Sequence, residues 1–373
     1  MSAGTYHTCA VTTDGKVRCW GDDCNNQLGD GKVTEQCTLA TYSTTPVEVV
    51  GVSGATAVAA GCFHTCAIVT GGKVWCWGTG SSGELGSDEG DSSASGPVEV
   101  ALGSKVAKAI TAGRYHSCAL LDDDTVECWG DNAYRALGNG NDDSGYTAWT
   151  PEPVVTAPGP GADPLDEVVA VATNYNHTCA ARSDKAVYCW GTNYWAQLGD
   201  GSYDDHGYAV LAQGVQGEDV AVGKAHSCAL DAGGAIACWG YGEGGELGDG
   251  SADDSVSPLT VDLSSFGSAT ALVSGADHSC AILDNTPQTA VCWGENTYGE
   301  IGDGSYSNQR DTPADVLDLS QVTAMAGGDS FTCAIVHTQD NPGAVYCWGY
   351  GWWGQLGDGY DHDRSRPVLV KGF

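Results

Sequence analysis

Apolar residues in this chain come in short bursts separated by polar, glycine-rich stretches, and the bursts return in a fixed order. In "HTCAVTTDGKVRCWG" (7–21) and "HTCAIVTGGKVWCWG" (64–78), two apolar runs flank a turn containing glycine, a pattern that predicts an antiparallel hairpin. A polar loop follows, then a segment such as "PVEVV" (46–50) or "PLTV" (258–261). Next comes a run of small residues ending near glycine, such as "ATAVAAG" (55–61) or "VAKAITAG" (106–113). Each unit of about 50 residues therefore predicts four short strands.

The unit occurs seven times. Its first cysteine recurs at Cys9, Cys66, Cys118, Cys179, Cys228, Cys280 and Cys333, at intervals of 57, 52, 61, 49, 52 and 53 residues. In six copies His-Thr or His-Ser precedes it (His7, His64, His116, His177, His226 and His278), and Phe331 replaces the histidine in the seventh. Cys-Trp-Gly follows in every copy, and five residues later a Gln-Leu-Gly-like triplet. Four-stranded units repeated around a ring make a β-propeller. The expectation is all-β: residues 1–373 form a single seven-bladed propeller with repeats beginning near 4, 61, 113, 174, 223, 275 and 328. "RPVLVKGF" (366–373) supplies a Pro-Val strand, and the N-terminus starts at an "AG" that normally ends the small-residue strand. The expected closure has the C-terminal strand joining the N-terminal blade. One strand is then short or absent, leaving an edge that a second chain could pair with.

Within the copies the two cysteines are 10, 10, 10, 10, 10, 12 and 14 residues apart, always an even number. Lengthening a hairpin by one residue on each arm adds two, so the cysteines stay opposite one another. One cross-strand disulfide per blade follows: Cys9–Cys19, Cys66–Cys76, Cys118–Cys128, Cys179–Cys189, Cys228–Cys238, Cys280–Cys292 and Cys333–Cys347. Cys24 and Cys37 flank a loop and are expected to form an eighth bridge, which leaves Cys62 unpaired, as a free thiol or an intermolecular link.

With their Gly-x-x-His-Thr, Trp-Gly and Gly-Gln-Leu-Gly landmarks, these units resemble regulator of chromosome condensation repeats over nearly the whole chain. The paired cysteines of "HTCA" and "VYCWG" look like those of bacterial extracellular relatives. The resemblance implies a seven-bladed propeller, and functions as diverse as nucleotide exchange, light sensing, enzyme inhibition and scaffolding. It therefore fixes a fold before a function.

Composition narrows the range. Glycine numbers 54, lysine plus arginine only 15, and the formal net charge is −33, which opposes nucleic acid and anionic membrane. Few arginines also argue against an arginine-dependent light sensor of this family. No run of 18 apolar residues is present, so no membrane insertion is expected. Seventeen cysteines point to an oxidising compartment, whereas "MSAGTYHTCA" enters directly into a repeat. The expectation is a secreted or extracellular-surface protein whose leader is absent from this chain.

Histidines and Cys-Trp-Gly tryptophans repeated in nearly every copy are expected to be structural. Positions that differ between copies carry more about function. The five-residue loops after Trp-Gly place aromatics at Tyr134, Tyr194, Trp195, Tyr298, Trp352 and Trp353, an expected arc on one face and the candidate binding residues. Paired carboxylates at Asp204 and Asp205, and at Asp253 and Asp254, are the candidates for calcium. Their spacing matches no known calcium loop and favours solvated turns. No other cofactor is expected. Nucleophile-elbow, phosphate-loop and zinc-protease motifs are absent from the sequence. The leading expectation is a non-enzymatic scaffold for a protein partner, ahead of a carbohydrate-binding module and a self-associating structural subunit.

Overall fold

A computed structural model describes residues 1–373 apart from 33–40, 88–92, 144, 160 and 338–341. The described residues form seven four-stranded antiparallel sheets, each built from consecutive strands. The first sheet comprises Ser2–Ala3, His7–Val11, Val17–Asp22 and Tyr42–Glu48. The last comprises Val322–Gly327, Phe331–His337, Pro342–Gly349 and Arg364–Leu369. Each blade opens with its small-residue strand, which is innermost. These strands touch one another around a closed ring and line a central channel of about 350 Å³. Small side chains are what allow seven strands to converge there.

The hairpin reading holds in every blade. Cys9 pairs with Cys19 across the ladder, Cys280 with Cys292 and Cys333 with Cys347, so the longer hairpins keep the same register. All seven disulfides form, with Cα–Cα separations of 4.0–4.1 Å, the close spacing of a non-hydrogen-bonded pair. The predicted Cys24–Cys37 bridge involves residue 37, outside the described residues. Cys62 is unpaired and buried, and burial pushes its thiol up to about 11. Neither condition suits an intermolecular link.

The Trp-Gly signature has a backbone cause. Gly21 has φ 108°, and a Cβ there would lie 2.4 Å from the Tyr6 carbonyl oxygen. The ladder to the outer strand shifts register across this glycine, a bulge that only glycine accommodates cheaply.

Outer strands carry proline at Pro46, Pro97, Pro151, Pro258, Pro313 and Pro367, which suits an edge that must not recruit another strand. The fourth blade's outer strand, His206–Leu211, has none. Its edge is covered by the third blade: Asn139 bridges to Tyr208 and the Ala209 amide donates to the Val155 carbonyl at 2.8 Å. The long 61-residue interval supplies that cover.

Neighbouring blades share seven apolar cores. In each, the tryptophan of one blade donates its indole N–H to the first carbonyl of the preceding blade's triplet. Trp77 reaches Gln27 at 2.9 Å, Trp239 reaches Gln197 at 2.9 Å and Trp20 reaches Gln355 at 2.8 Å. The triplet glycine lies against the same ring: a Cβ on Gly29 would come within 2.6 Å of Trp77 Nε1. That close approach is why the triplet ends in glycine.

The repeated histidines are structural, as expected. His7 Nε2 lies 2.8 Å from Thr65 Oγ1 of the next blade, and that hydroxyl donates its proton to the Gln27 carbonyl. Nε2 must therefore carry the imidazole hydrogen. His64, His177 and His226 make the same contact to Ser117, Ser227 and Ser279. Burial holds all six rings neutral, down to about 3 for His7 and about 4 for His278. At the seventh junction Phe331 packs with Ala10, Trp20 and Leu356 instead.

The expected ring closure is corrected by the sheet order. Arg364–Leu369 pairs with Pro342–Gly349 in its own blade, and the N-terminal blade has its own first strand, Ser2–Ala3. No strand is exchanged between the ends. The ends meet through side chains: Phe373 packs edge-on against Trp20 and Arg18 donates to the Gly372 carbonyl. The short strand was foreseen, but it is innermost and faces the channel, so it offers no edge to a second chain.

Candidate functional site

The five-residue loops leave the sheets at one end, each starting opposite the residue that opens the second strand (His7↔Gly21, Phe331↔Gly349). Their conformation is nearly constant. The fifth residue has positive φ in every loop, at Asn26, Gly83, Arg135, Ala196, Gly245, Gly299 and Gly354. The side-chain oxygen of the triplet's first residue takes the amide of the fourth loop residue: Gln197 Oε1 accepts from Trp195 N at 2.9 Å, Glu300 Oε2 from Tyr298 N at 2.9 Å and Gln355 Oε1 from Trp353 N at 2.9 Å. A repeated structural triplet thus aims a variable side chain.

That fourth position leans on the next blade. Trp195 meets Tyr241 with ring centroids 4.9 Å apart, Tyr298 meets Tyr350 at 4.9 Å, and Trp353 lies 6.3 Å from Tyr6 and 6.4 Å from Tyr42. Tyr298 and Tyr134 keep 37% and 43% exposure. The third position stands clear: Tyr194 is 71% exposed and Trp352 is 61% exposed, with Tyr194 edge-on to Trp195 at 4.9 Å. The six predicted aromatics therefore form braces and projecting members, a distinction the sequence did not reveal.

The paired carboxylates work within the loops. Asp205 Oδ1 accepts the Asn193 amide at 2.7 Å and Asp254 Oδ1 accepts the Gly242 amide at 2.9 Å. Asp204 donates its own amide to Ser202 Oγ. Asp253 contributes backbone beside Gly242. Among the described residues no three His, Cys, Asp or Glu side chains gather in a metal-binding group.

Two features of this face went unread in the sequence. Tyr175 spans the channel mouth, donating its hydroxyl to Asp329 Oδ1 at 2.7 Å over a separation of 154 residues. Arg114 and Lys224 lie 5.6 and 5.5 Å from its ring centroid. A second cavity, about 630 Å³, opens between the fifth and sixth blades and is lined by Trp195, Lys224, Tyr241, Glu243, Glu246 and Asp277 among others. The signal for Lys224 and Asp277 lay in the two residues before each repeated histidine, which vary from copy to copy.

The fold and the loop face together define a class: a closed seven-bladed propeller whose repeats fix a scaffold and whose loops vary. The RCC1-like domain family matches residues 1–281, and the regulator of chromosome condensation (RCC1) repeat matches 292–335 and 342–373. The chain belongs to this RCC1-like family. It is 32% identical over 224 residues (59% of this chain) to the human E3 ubiquitin-protein ligase HERC2, of which it spans only 4%. It is 27% identical over 380 residues to the ultraviolet-B receptor UVR8 of Arabidopsis thaliana, covering 100% of this chain and 81% of that one. The Saccharomyces cerevisiae protein Prp20p, whose structure is described together with its binding to Gsp1p and histones, superposes with a TM-score of 0.80 at 20% identity, covering 99% of this chain and 88% of its own.

Proposed function

We propose that this chain is a secreted or cell-surface binding scaffold that recognises a protein partner through the loop face bearing Tyr134, Tyr194, Trp195, Tyr298, Trp352 and Trp353. One observation carries the reading: Tyr194 and Trp352 project at 71% and 61% exposure, each next to a tryptophan anchored to the neighbouring blade. Large aromatics held on a rigid base bind proteins with little ordering cost. Relatives of this fold point the same way, since Prp20p is described as binding Gsp1p and histones. A net charge of −33 favours a partner with a basic surface and opposes nucleic acid. The seven disulfides are consistent with an extracellular location. The reading assigns no catalytic group.

The test is binding of labelled protein to cells of the producing organism and its neighbours, before and after surface proteolysis. Loss of binding after proteolysis, and a drop of about tenfold or more for the Tyr194→Ala/Trp352→Ala variant, is the expected result. Binding that survives proteolysis would overturn the protein reading in favour of a glycan. Labelled protein that only associates with itself, seen by size exclusion at several concentrations, would overturn it in favour of a structural subunit.

A further inference from the structure

The cavity between the fifth and sixth blades combines features that the loop face elsewhere does not bring together. Trp195 and Tyr241 form one wall, their rings 4.9 Å apart and inclined at 66°. Glu243, Glu246, Asp277 and Glu295 line the remainder with Thr297, Asn308 and Gln309. Glu246 is 1% exposed. Its Oε2 takes the Gly244 amide at 2.9 Å, and among the described residues Oε1 accepts no side-chain hydrogen bond. The half-buried Asp277 carboxylate makes no hydrogen bond or salt bridge among the described residues, and the Lys224 charge only partly offsets it. Lys224, the one basic residue of the lining, extends towards the channel mouth, with Nζ 5.5 Å from the Tyr175 ring.

We infer that this cavity is a binding site for an organic cation, an ammonium group on an aliphatic stem, with the stem against Trp195 and Tyr241 and the charge facing Glu246 and Asp277. Aromatic faces attract such a group, and a buried carboxylate such as Glu246, held by backbone amides with no cation beside it, gains from one. A neutral sugar would leave those carboxylates uncompensated, and a bare divalent ion finds no group of three ligands among the described residues. Burial raises Glu246 to about 8 and Asp277 to about 6, and a bound cation would favour their charged forms. The inference does not depend on the protein-binding reading, although a lysine of such a partner is one source of the cation. A free diamine is the other.

Ligand-observed NMR and calorimetry on the intact chain test it with N-acetyl-lysine methylamide, N-acetyl-norleucine methylamide and 1,5-diaminopentane. The expected result is binding of the two amines and none of the norleucine compound, with a loss of about tenfold or more in Glu246→Gln and in Trp195→Ala. Glu246→Gln preserves the loop, because Gln27, Gln197 and Gln355 occupy the same place in other repeats and accept the same amide. Affinity for the amines should rise between about pH 6 and about pH 8 as Asp277 and Glu246 ionise, with Tyr241, Glu243, Glu295, Lys224 and Asp329 the other titratable groups facing them. Tighter binding of the capped lysine than of the diamine assigns the site to a partner's side chain, and the reverse assigns it to a free amine. Equal binding of the norleucine compound, or amine binding unchanged by Glu246→Gln and Asp277→Asn, overturns the inference. The cell-binding result for Tyr194→Ala/Trp352→Ala stands separately from either outcome.

Discussion

The indole Nε1–H of Trp20 donates a 2.8 Å hydrogen bond to the backbone carbonyl of Gln355, joining the first blade to the last across 335 positions. The same carbonyl accepts from Thr8 Oγ1 at 3.0 Å. Six other junctions repeat the tryptophan bond between blades that the chain also connects covalently. Here no backbone runs from one blade to the next, so the ring is closed by noncovalent contacts, among them the Gly359 amide donating to the Thr44 carbonyl at 2.9 Å.

Trp20→Phe removes that donor and leaves space in a fully buried site, a cost of about 2–4 kcal/mol. Native-state hydrogen exchange should speed up in both terminal blades together. Trp239→Phe, which loses the matching bond to Gln197 at a covalently connected junction, should leave the terminal blades protected. Equal exchange in the two variants would show that the Trp20 bond matters no more at the noncovalent junction than its counterparts do elsewhere.

Phe331 occupies the histidine position at that same junction and is fully buried. Phe331→Ala should cost about 3–5 kcal/mol in denaturant unfolding, as expected for an emptied aromatic site. Phe331→His should be much milder, because Thr8 stands where Thr65 stands for His7. A histidine variant as damaged as the alanine variant would show that the junction depends on its apolar character.

Glu84, Glu246 and Glu300 replace the triplet glutamine, and burial raises them to about 7, 8 and 8. Each is protonated in the folded state at pH values where it ionises when unfolded. Their contribution is complete below the ordinary value of 4.5 and is lost as pH rises through 7 to 8. The six buried histidines act in the opposite sense: stability is complete above 6.5 and falls with pH towards 3 to 4. The melting temperature should therefore peak near pH 6.5 and decline on both sides. Glu84→Gln/Glu300→Gln should raise it above pH 7 and leave it nearly unchanged near pH 4. A flat alkaline limb in the unsubstituted protein would refute the assignment.

The seven cross-strand disulfides are fully buried, so reductant should attack them only after local opening. Each closes a hairpin of 10 to 14 residues and contributes about 2.5–3 kcal/mol in the chain-entropy account. Cys179→Ala/Cys189→Ala should lower stability by about that amount in denaturant titrations. An unfolding midpoint unchanged by complete reduction would remove the physical basis for the bridges.

Much of the architecture was legible because the contacts that create it are local or repeated. The even spacing of the cysteines reports the register of a hairpin, whose partners lie within a few residues. The triplet was visible as a motif, but its reason was not. Gly29 must be glycine because Trp77 of another blade lies against it, and no feature within the triplet names that tryptophan. The closure was misread for a related cause: a Pro-Val strand beside a small-residue strand is compatible with pairing in either blade, and only the sheet order decides.

The candidate face divides in the same way. Its aromatic residues could be found because they interrupt an otherwise constant loop. Which of them brace and which project depends on Tyr241, Tyr350, Tyr6 and Tyr42 in adjacent blades. Glu246, Asp277 and Lys224 come from different turns and were invisible as a set.

By itself the sequence determined the seven units, their strands, their disulfide registers and the structural roles of histidine and tryptophan, because seven near-copies repeat each local constraint. Tertiary structure alone decided how the ring closes, which aromatics face solvent and where a buried carboxylate opens into a cavity. Those depend on the distance between blades, and a residue pattern within one blade does not encode it.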